Sequence, residues 1–121
     1  MSAINTYLGM AIDVRRRRPV LSRGVGGLSG PAIKPLALHA VWQLSGALSI
    51  PVVGIGGIMT AADALEFLLA GATAVQLGTV NYVRPQAVRE IHDGIAAHLE
   101  EHDLRDLGAL PIRPARVEAH V

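Results

Sequence analysis

Pro51-Val52-Val53-Gly54-Ile55-Gly56-Gly57-Ile58-Met59-Thr60-Ala61-Ala62-Asp63 is the stretch whose reading decides the fold. It opens with an apolar run free of polar alternation, the pattern of a strand covered on both faces. Glycines follow directly, and then Thr60 with Asp63, in the spacing of a helix capping box. Behind that cap, Ala61, Ala64, Leu65 and Leu68 supply an apolar stripe at helical period, and Gly71 stands where such a helix would end. The stretch therefore reads as strand, glycine turn and helix: one βα unit.

The same order recurs on both sides. Ala74 to Leu77 reads as a strand closed by Gly78-Thr79, with a helix to follow from about Gln86 to Glu101 and with Val88, Ile91, Ile95 and Leu99 facing inward. Upstream, Ala3 to Tyr7 reads as a strand. A helix is expected to start near Ser29-Gly30-Pro31, because proline's missing N–H costs nothing at a first helical position. Its stripe is Ile33, Leu36, Ala37, Ala40, Val41, Leu44 and Leu48, with Trp42 a half-exposed packing residue. Between that strand and helix, Met10 to Val14 and Pro19 to Ser22 flank Arg15 to Arg18, which reads as a β-hairpin with a solvated basic tip. After Asp103 the chain shows no clear period and carries Pro111 and Pro114, so it is expected to be extended or loosely packed.

Alternating strands and helices require parallel strands joined by right-handed crossovers, so the class is α/β. A closed (β/α)8 barrel takes about 250 residues, and this chain has 121. Three βα units are less than half a barrel; a small independent open sheet fits the pattern too.

Composition narrows the function. Half the residues are hydrophobic and 17% are charged, so the chain can bury a core, while a net charge of +1 gives no global field for nucleic acid or a membrane surface. Cysteine is absent, which removes disulfides, thiolate metal sites and cysteine chemistry from this chain. His39, His92, His98, His102 and His120 show no metal-ligand spacing, so no metal is expected. Met1 to Asn5 lacks the basic start and apolar run of a signal peptide, and the apolar stretch from Ile50 to Met59 is too short to span a bilayer. A soluble, cytoplasmic protein is the expectation.

Four segments carry candidate chemistry. Glycines at the end of a strand, as in Gly54-Ile55-Gly56-Gly57-Ile58, let a ligand approach the backbone, and exposed N–H groups there favour an anion such as phosphate. The dinucleotide-binding pattern is not met, since the third glycine and the acidic residue are missing. Gly78-Thr79 occupies the equivalent place in the next unit, and in (β/α) barrels the loops after the last two strands commonly form a phosphate site. Asn5-Thr6 ends the first strand on the same face, where an asparagine offers both donor and acceptor to an imide or carboxylate; an Asn or Thr that satisfies its own loop backbone is the plainer alternative. Gly24-Val25-Gly26-Gly27-Leu28-Ser29-Gly30-Pro31 is a glycine-dense loop ahead of a helix, an adaptable lid or a backbone surface for a flat ligand.

In this order, Ile4-Asn5-Thr6, Gly26-Gly27-Leu28-Ser29-Gly30-Pro31-Ala32-Ile33-Lys34-Pro35, Gly54-Ile55-Gly56-Gly57-Ile58 and Gly78-Thr79 resemble the C-terminal part of class 1 dihydroorotate dehydrogenases. Ala62 to Phe67 and Ala70-Gly71-Ala72 are similar to that family too, and the likeness is greatest to the NAD-linked catalytic subunits of class 1B. The resemblance implies the C-terminal part of a (β/α)8 barrel in residues 1–102, with the hairpin inserted after the first strand and a tail over residues 103–121. It also implies that Ile4, Gly30, Gly56, Gly57, Gly78 and Thr79 contact FMN, and that Asn5 and Thr6 hold dihydroorotate or orotate. In that family a cysteine on a loop of the barrel's earlier half removes a proton from the substrate while the flavin takes a hydride. This chain has none, so no catalytic residue is assigned to it, and a truncated or split reading frame is the expectation. A partner subunit with FAD and a 2Fe-2S cluster, and assembly as a homo- or hetero-oligomer, are further implications. Lys34 is read as structural. The alternatives are a dihydropyrimidine dehydrogenase-like flavin barrel and a flavin- or phosphate-binding module without turnover.

Overall fold

The structure, a computed structural model, describes residues 1–110; Pro111, Pro114 and His120 lie outside the described residues. Its centre is a parallel sheet of β1 (Ser2–Ala3), β6 (Val53–Ile55) and β7 (Ala74–Gln76), in the order β1-β6-β7. Two short antiparallel pairs lie between β1 and the first helix: β2 (Tyr7–Gly9) with β5 (Gly26–Leu28), and β3 (Ile12–Asp13) with β4 (Arg18–Pro19). The helices are α1 (Lys34–Ala47, entered through a 3-10 turn at Pro31–Ile33), α2 (Ala61–Leu69), α3 (Val80–Val83) and α4 (Ala87–Glu101). The result is a mixed α/β arrangement with α1 against β1 and β6, α2 against β7, and α4 against α2.

Register explains which sheet face is covered. Ala3, Gly54 and Val75 form one row across the three strands. That row faces the helices: a Cβ placed on Gly54 would come within 2.6 Å of the Phe67 ring on α2. Phe67 is fully buried and, with Val41, Val52 and Val80, is the largest side chain of the core. The neighbouring row, Ser2, Val53 and Ala74, points the other way, and Ser2, Ala74 and Gln76 are exposed. Strands whose apolar runs suggested two covered faces are thus covered on one, among the described residues.

Several expected elements shift for local reasons. The expected strand over Ala3–Tyr7 is split, because the Thr6 N–H donates to the Asn5 side-chain oxygen at 2.7 Å and the chain leaves the parallel ladder there. On α1, Leu36 is 49% exposed while Ile33, Ala37 and Val41 are buried, so the inward stripe is narrower than its apolar residues suggested. On α4, Val88 is exposed and Ala87 is buried instead. The cause is close approach: a Cβ on Gly94 would overlap that of Ala61, so α4 meets α2 through small residues. α3 was not expected. Residues 103–110 are not loose, since a 3-10 turn at Leu107–Ala109 leads Leu110 onto Leu65 and Leu68.

Thr60 caps α2 as its sequence indicates. Its hydroxyl accepts from the Asp63 N–H at 3.2 Å, and the Asp63 carboxylate accepts from the Thr60 N–H at 2.9 Å. No helix among the described residues is long and apolar enough to cross a membrane.

Candidate functional site

The loops that follow β1, β6 and β7 meet around a cavity of about 270 Å³ at the carboxyl ends of the strands. Ile4, Asn5, Thr6, Gly30, Gly56, Gly57, Gly78 and Thr79 all line it, so every residue singled out for cofactor or substrate contact is brought to one place. They arrive there because each unit turns at the same end of a parallel sheet.

The glycines have different reasons for being glycine. Gly57 has φ +74°, and a Cβ on it would sit 2.8 Å from the Gly30 carbonyl and from the Lys34 backbone nitrogen. Gly56, at φ +136°, faces Ala37 at 2.6 Å. Both are dictated by the start of α1. A Cβ on Gly78 would meet nothing within 4 Å, so nothing in the described residues requires a glycine there except room for something else.

Polar groups at the site are few. The Thr79 hydroxyl donates to that of Ser29 at 2.8 Å, joining the loop after β7 to the loop before α1. The Asn5 carbonyl oxygen is engaged by the Thr6 N–H, and among the described residues its Nδ2 has no protein partner. The backbone N–H groups of Gly57, Ile58, Gly78 and Thr79 have no protein acceptor among the described residues either, although all four residues line the cavity. Ser29, from the glycine-dense loop, also lines it, as do Gln76 and Tyr82, which sequence reasoning passed over. For Gln76 a signal existed: an amide inside the apolar run Ala74-Val75-Gln76-Leu77 has to face something polar.

Lys34, read as structural, stands just behind the cavity. Its Nζ donates to Asp63 Oδ1 at 2.6 Å and to Glu66 Oε1 at 3.0 Å, tying α1 to α2. These hydrogen bonds, Asp63 first, hold the ammonium above its ordinary pKa. Burial alone would push the Asp63 carboxyl up, but hydrogen bonds from Lys34 and from the Met59 and Thr60 N–H groups outweigh it and leave the carboxyl below its usual range. A depressed carboxyl contributes stability that is complete above its unfolded pKa, near 4, and is lost as pH falls through the folded value. The stability difference between the parent and Asp63→Asn should therefore be constant from roughly pH 7 to pH 5 and shrink below about pH 4. Urea unfolding across that range measures it; a difference that grows on acidification would contradict the assignment.

Other features stay apart. Asp13 accepts from the N–H groups of Arg15 and Arg16 at 3.0 Å, so the basic turn is ordered by its own carboxylate, away from the cavity. The His98 and His102 rings stack with centroids 4.2 Å apart. Among the described residues no group of three His, Asp or Glu side chains could hold a metal ion. A larger cavity of about 590 Å³, between Leu48, Pro51, Thr73 and Leu110, opens at the amino ends of the strands. Among the described residues it has no charged side chain in its lining, and Leu110 stands at its edge.

Known proteins match the chain over most of its length. The family model described as dihydroorotate dehydrogenase matches residues 1–99. A relative from Geotalea uraniireducens, named dihydroorotate dehydrogenase B (NAD(+)), catalytic subunit, is 58% identical over 110 residues, which is 91% of this chain and 36% of that protein. A protein of the same name from Trichlorobacter lovleyi is 59% identical over the same shares. One from Bacteroides thetaiotaomicron is 51% identical over 93% of this chain and 38% of its own length. The chain thus spans little more than a third of these relatives. With the matched segment reaching from β1 through most of α4 and taking in every loop of the cavity, the chain belongs to the dihydroorotate dehydrogenase family.

Proposed function

We propose that the chain supplies the flavin-phosphate end of an FMN-dependent dihydroorotate dehydrogenase of the NAD-linked type. In this reading, residues 1–102 are the C-terminal part of its (β/α)8 barrel, the β3–β4 pair is the inserted hairpin, and residues 103–121 are the tail. One observation carries it: two pairs of backbone N–H groups without acceptors among the described residues, Gly57 with Ile58 and Gly78 with Thr79, border one cavity after consecutive parallel strands. That arrangement suits a phosphate, because the donors are fixed by the turns and need no reorganisation to meet an anion.

The residues present fit FMN. Gly57, Gly78 and Thr79 would take the phosphate, with Gly56 allowing the turn to lie close to α1. Ile4 and Gly30 would border the rest of the cofactor, and Asn5 and Thr6 would hold dihydroorotate or orotate through amide and hydroxyl hydrogen bonds. Bound flavin supplies a hydride acceptor for oxidation of dihydroorotate to orotate, a step of pyrimidine biosynthesis. The chain's own residues bind and orient; with no cysteine in the sequence, they supply no thiolate to remove the substrate proton. The relatives are named as catalytic subunits. A second subunit with FAD and a 2Fe-2S cluster, passing electrons to NAD in the cytoplasm, therefore completes the proposal, as does assembly into an oligomer.

Flavin titration tests it. FMN should quench on binding with a Kd at least tenfold below that of riboflavin, which lacks the phosphate, since two charge-assisted hydrogen bonds are worth more than 1.4 kcal/mol. Equal binding of the two flavins, or binding of neither, would remove the phosphate assignment. The absence of cysteine favours one second reading, a flavin-binding module without turnover.

A further inference from the structure

The three loops around the cavity are joined to one another by side chains, and Lys34, Asp63 and Arg84 among them lie outside it. Met59 directly follows Gly57-Ile58, and its backbone is held at both its N–H and its carbonyl. The Met59 N–H donates to Asp63 Oδ2 at 2.9 Å, and its carbonyl accepts from Arg84 Nη2. Each holder is itself held. Asp63 Oδ1 takes the Lys34 ammonium, and Arg84 Nη1 stands 3.3 Å from Glu90 Oε2 on α4.

Together these contacts form a triangle. Lys34, at the first position of α1, ties the loop before α1 to the turn after β6 through Asp63. Arg84, the C-cap of α3, ties that turn to the loop after β7. The Thr79–Ser29 hydroxyl pair closes the third side. Neither Lys34 nor Arg84 lines the cavity.

We infer that Lys34 and Arg84 are positioning residues that set the separation of the two glycine turns, and thereby the preference for a phosphorylated flavin over an unphosphorylated one. The inference rests on the flavin reading above. Donors at Gly57-Ile58 and Gly78-Thr79 can share one phosphate only while their turns are held at a fixed spacing, and the Met59 backbone is where that spacing is gripped.

A merely structural role predicts something different. The Arg84–Glu90 pair is about half exposed on both sides, at 44% and 52%, and such pairs contribute little to stability. Arg84→Met should therefore leave the melting temperature nearly unchanged. If Arg84 positions the turn, the same variant should shrink the ratio of riboflavin Kd to FMN Kd by roughly fivefold to tenfold, mainly by weakening FMN. It should also speed hydrogen exchange at the Met59 and Thr60 amides. Lys34→Met should do the same with some loss of stability, and Lys34→Arg, which keeps a donor for Asp63, should restore the ratio.

The experiment is a titration of the full chain and these three variants with FMN and with riboflavin, paired with amide exchange. Arg84→Met and Lys34→Met that bind both flavins as the parent does, or weaken both equally, would overturn the inference. Unchanged exchange at Met59 and Thr60 would overturn it as well. A parent that binds neither flavin would sink the flavin reading itself, and with it the claim about selectivity, leaving exchange to decide whether the turn is braced.

Discussion

Gly78→Val should weaken FMN binding at least tenfold while leaving the melting temperature of the protein where it was. A Cβ on Gly78 meets no atom within 4 Å, and its backbone is not in the left-handed region, so the substitution introduces neither a Cβ clash nor backbone strain. In the proposed complex that space belongs to the phosphate, and a branched side chain there separates the donors of Gly78 and Thr79 from the anion. Loss of even one charge-assisted hydrogen bond is worth about tenfold. Gly57→Val is the instructive contrast. Its φ of +74° costs a residue with a Cβ about 1–2 kcal/mol, and the overlap at 2.8 Å is with backbone atoms of Gly30 and Lys34 that cannot rotate aside. Overpacking adds about 1–3 kcal/mol, so Gly57→Val should lose about 3 kcal/mol in denaturant unfolding, and flavin binding with it. Gly56→Val mixes the two effects through Ala37. If Gly78→Val binds FMN as tightly as the parent, the loop after β7 is not part of the flavin site.

The chain by itself, even saturated with FMN, should show no reduction of flavin by dihydroorotate. Proton removal by a placed general base contributes about 10²–10⁴-fold in rate, and the cavity contains no group equipped for it. Its hydroxyls at Ser29 and Thr79 hydrogen-bond to each other. Tyr82, its one titratable side chain among the described residues, is 92% exposed. Among the described residues no histidine or carboxylate lines it, and the sequence has no cysteine. The family's remaining barrel segments, supplied in trans with their cysteine, should restore anaerobic bleaching of the flavin band, and a cysteine-to-alanine change in the added part should abolish it. Bleaching by the 121-residue chain alone would refute the missing-base argument, and Tyr82→Phe would then be the first variant to examine.

The loop chemistry was readable from the sequence because it is local. Thr60 and Asp63 cap α2 through bonds that span three residues, proline opens the 3-10 turn before α1, and glycines end β6 wherever the strand ends. Placement of all these turns at one end of a parallel sheet follows from the alternation of strands and helices, so the convergence of Asn5, Gly56 and Gly78 on one cavity was legible too. What each glycine is for was not. Gly56 and Gly57 look like a ligand cradle in sequence, yet their need to be glycine comes from Ala37, Gly30 and Lys34, residues distant along the chain. The same holds for Gly94, which brings α4 onto Ala61, and for Val88, which the resulting contact leaves outside.

Composition and local pattern determined the parallel strands and the helices α1, α2 and α4, the capped helix, the strand-end turns and the absence of a thiol, since each depends on neighbours in sequence or on residue identity alone. Only the tertiary structure decided that one face of the sheet is covered, and that Gly78 is open while Gly57 is filled from behind. It alone showed that Asp63, itself held by Lys34, and Arg84 grip the backbone of one residue, Met59, from outside the cavity. Those are distances between atoms dozens of residues apart, set by how helices settle on a sheet, and no spacing along the chain encodes them directly.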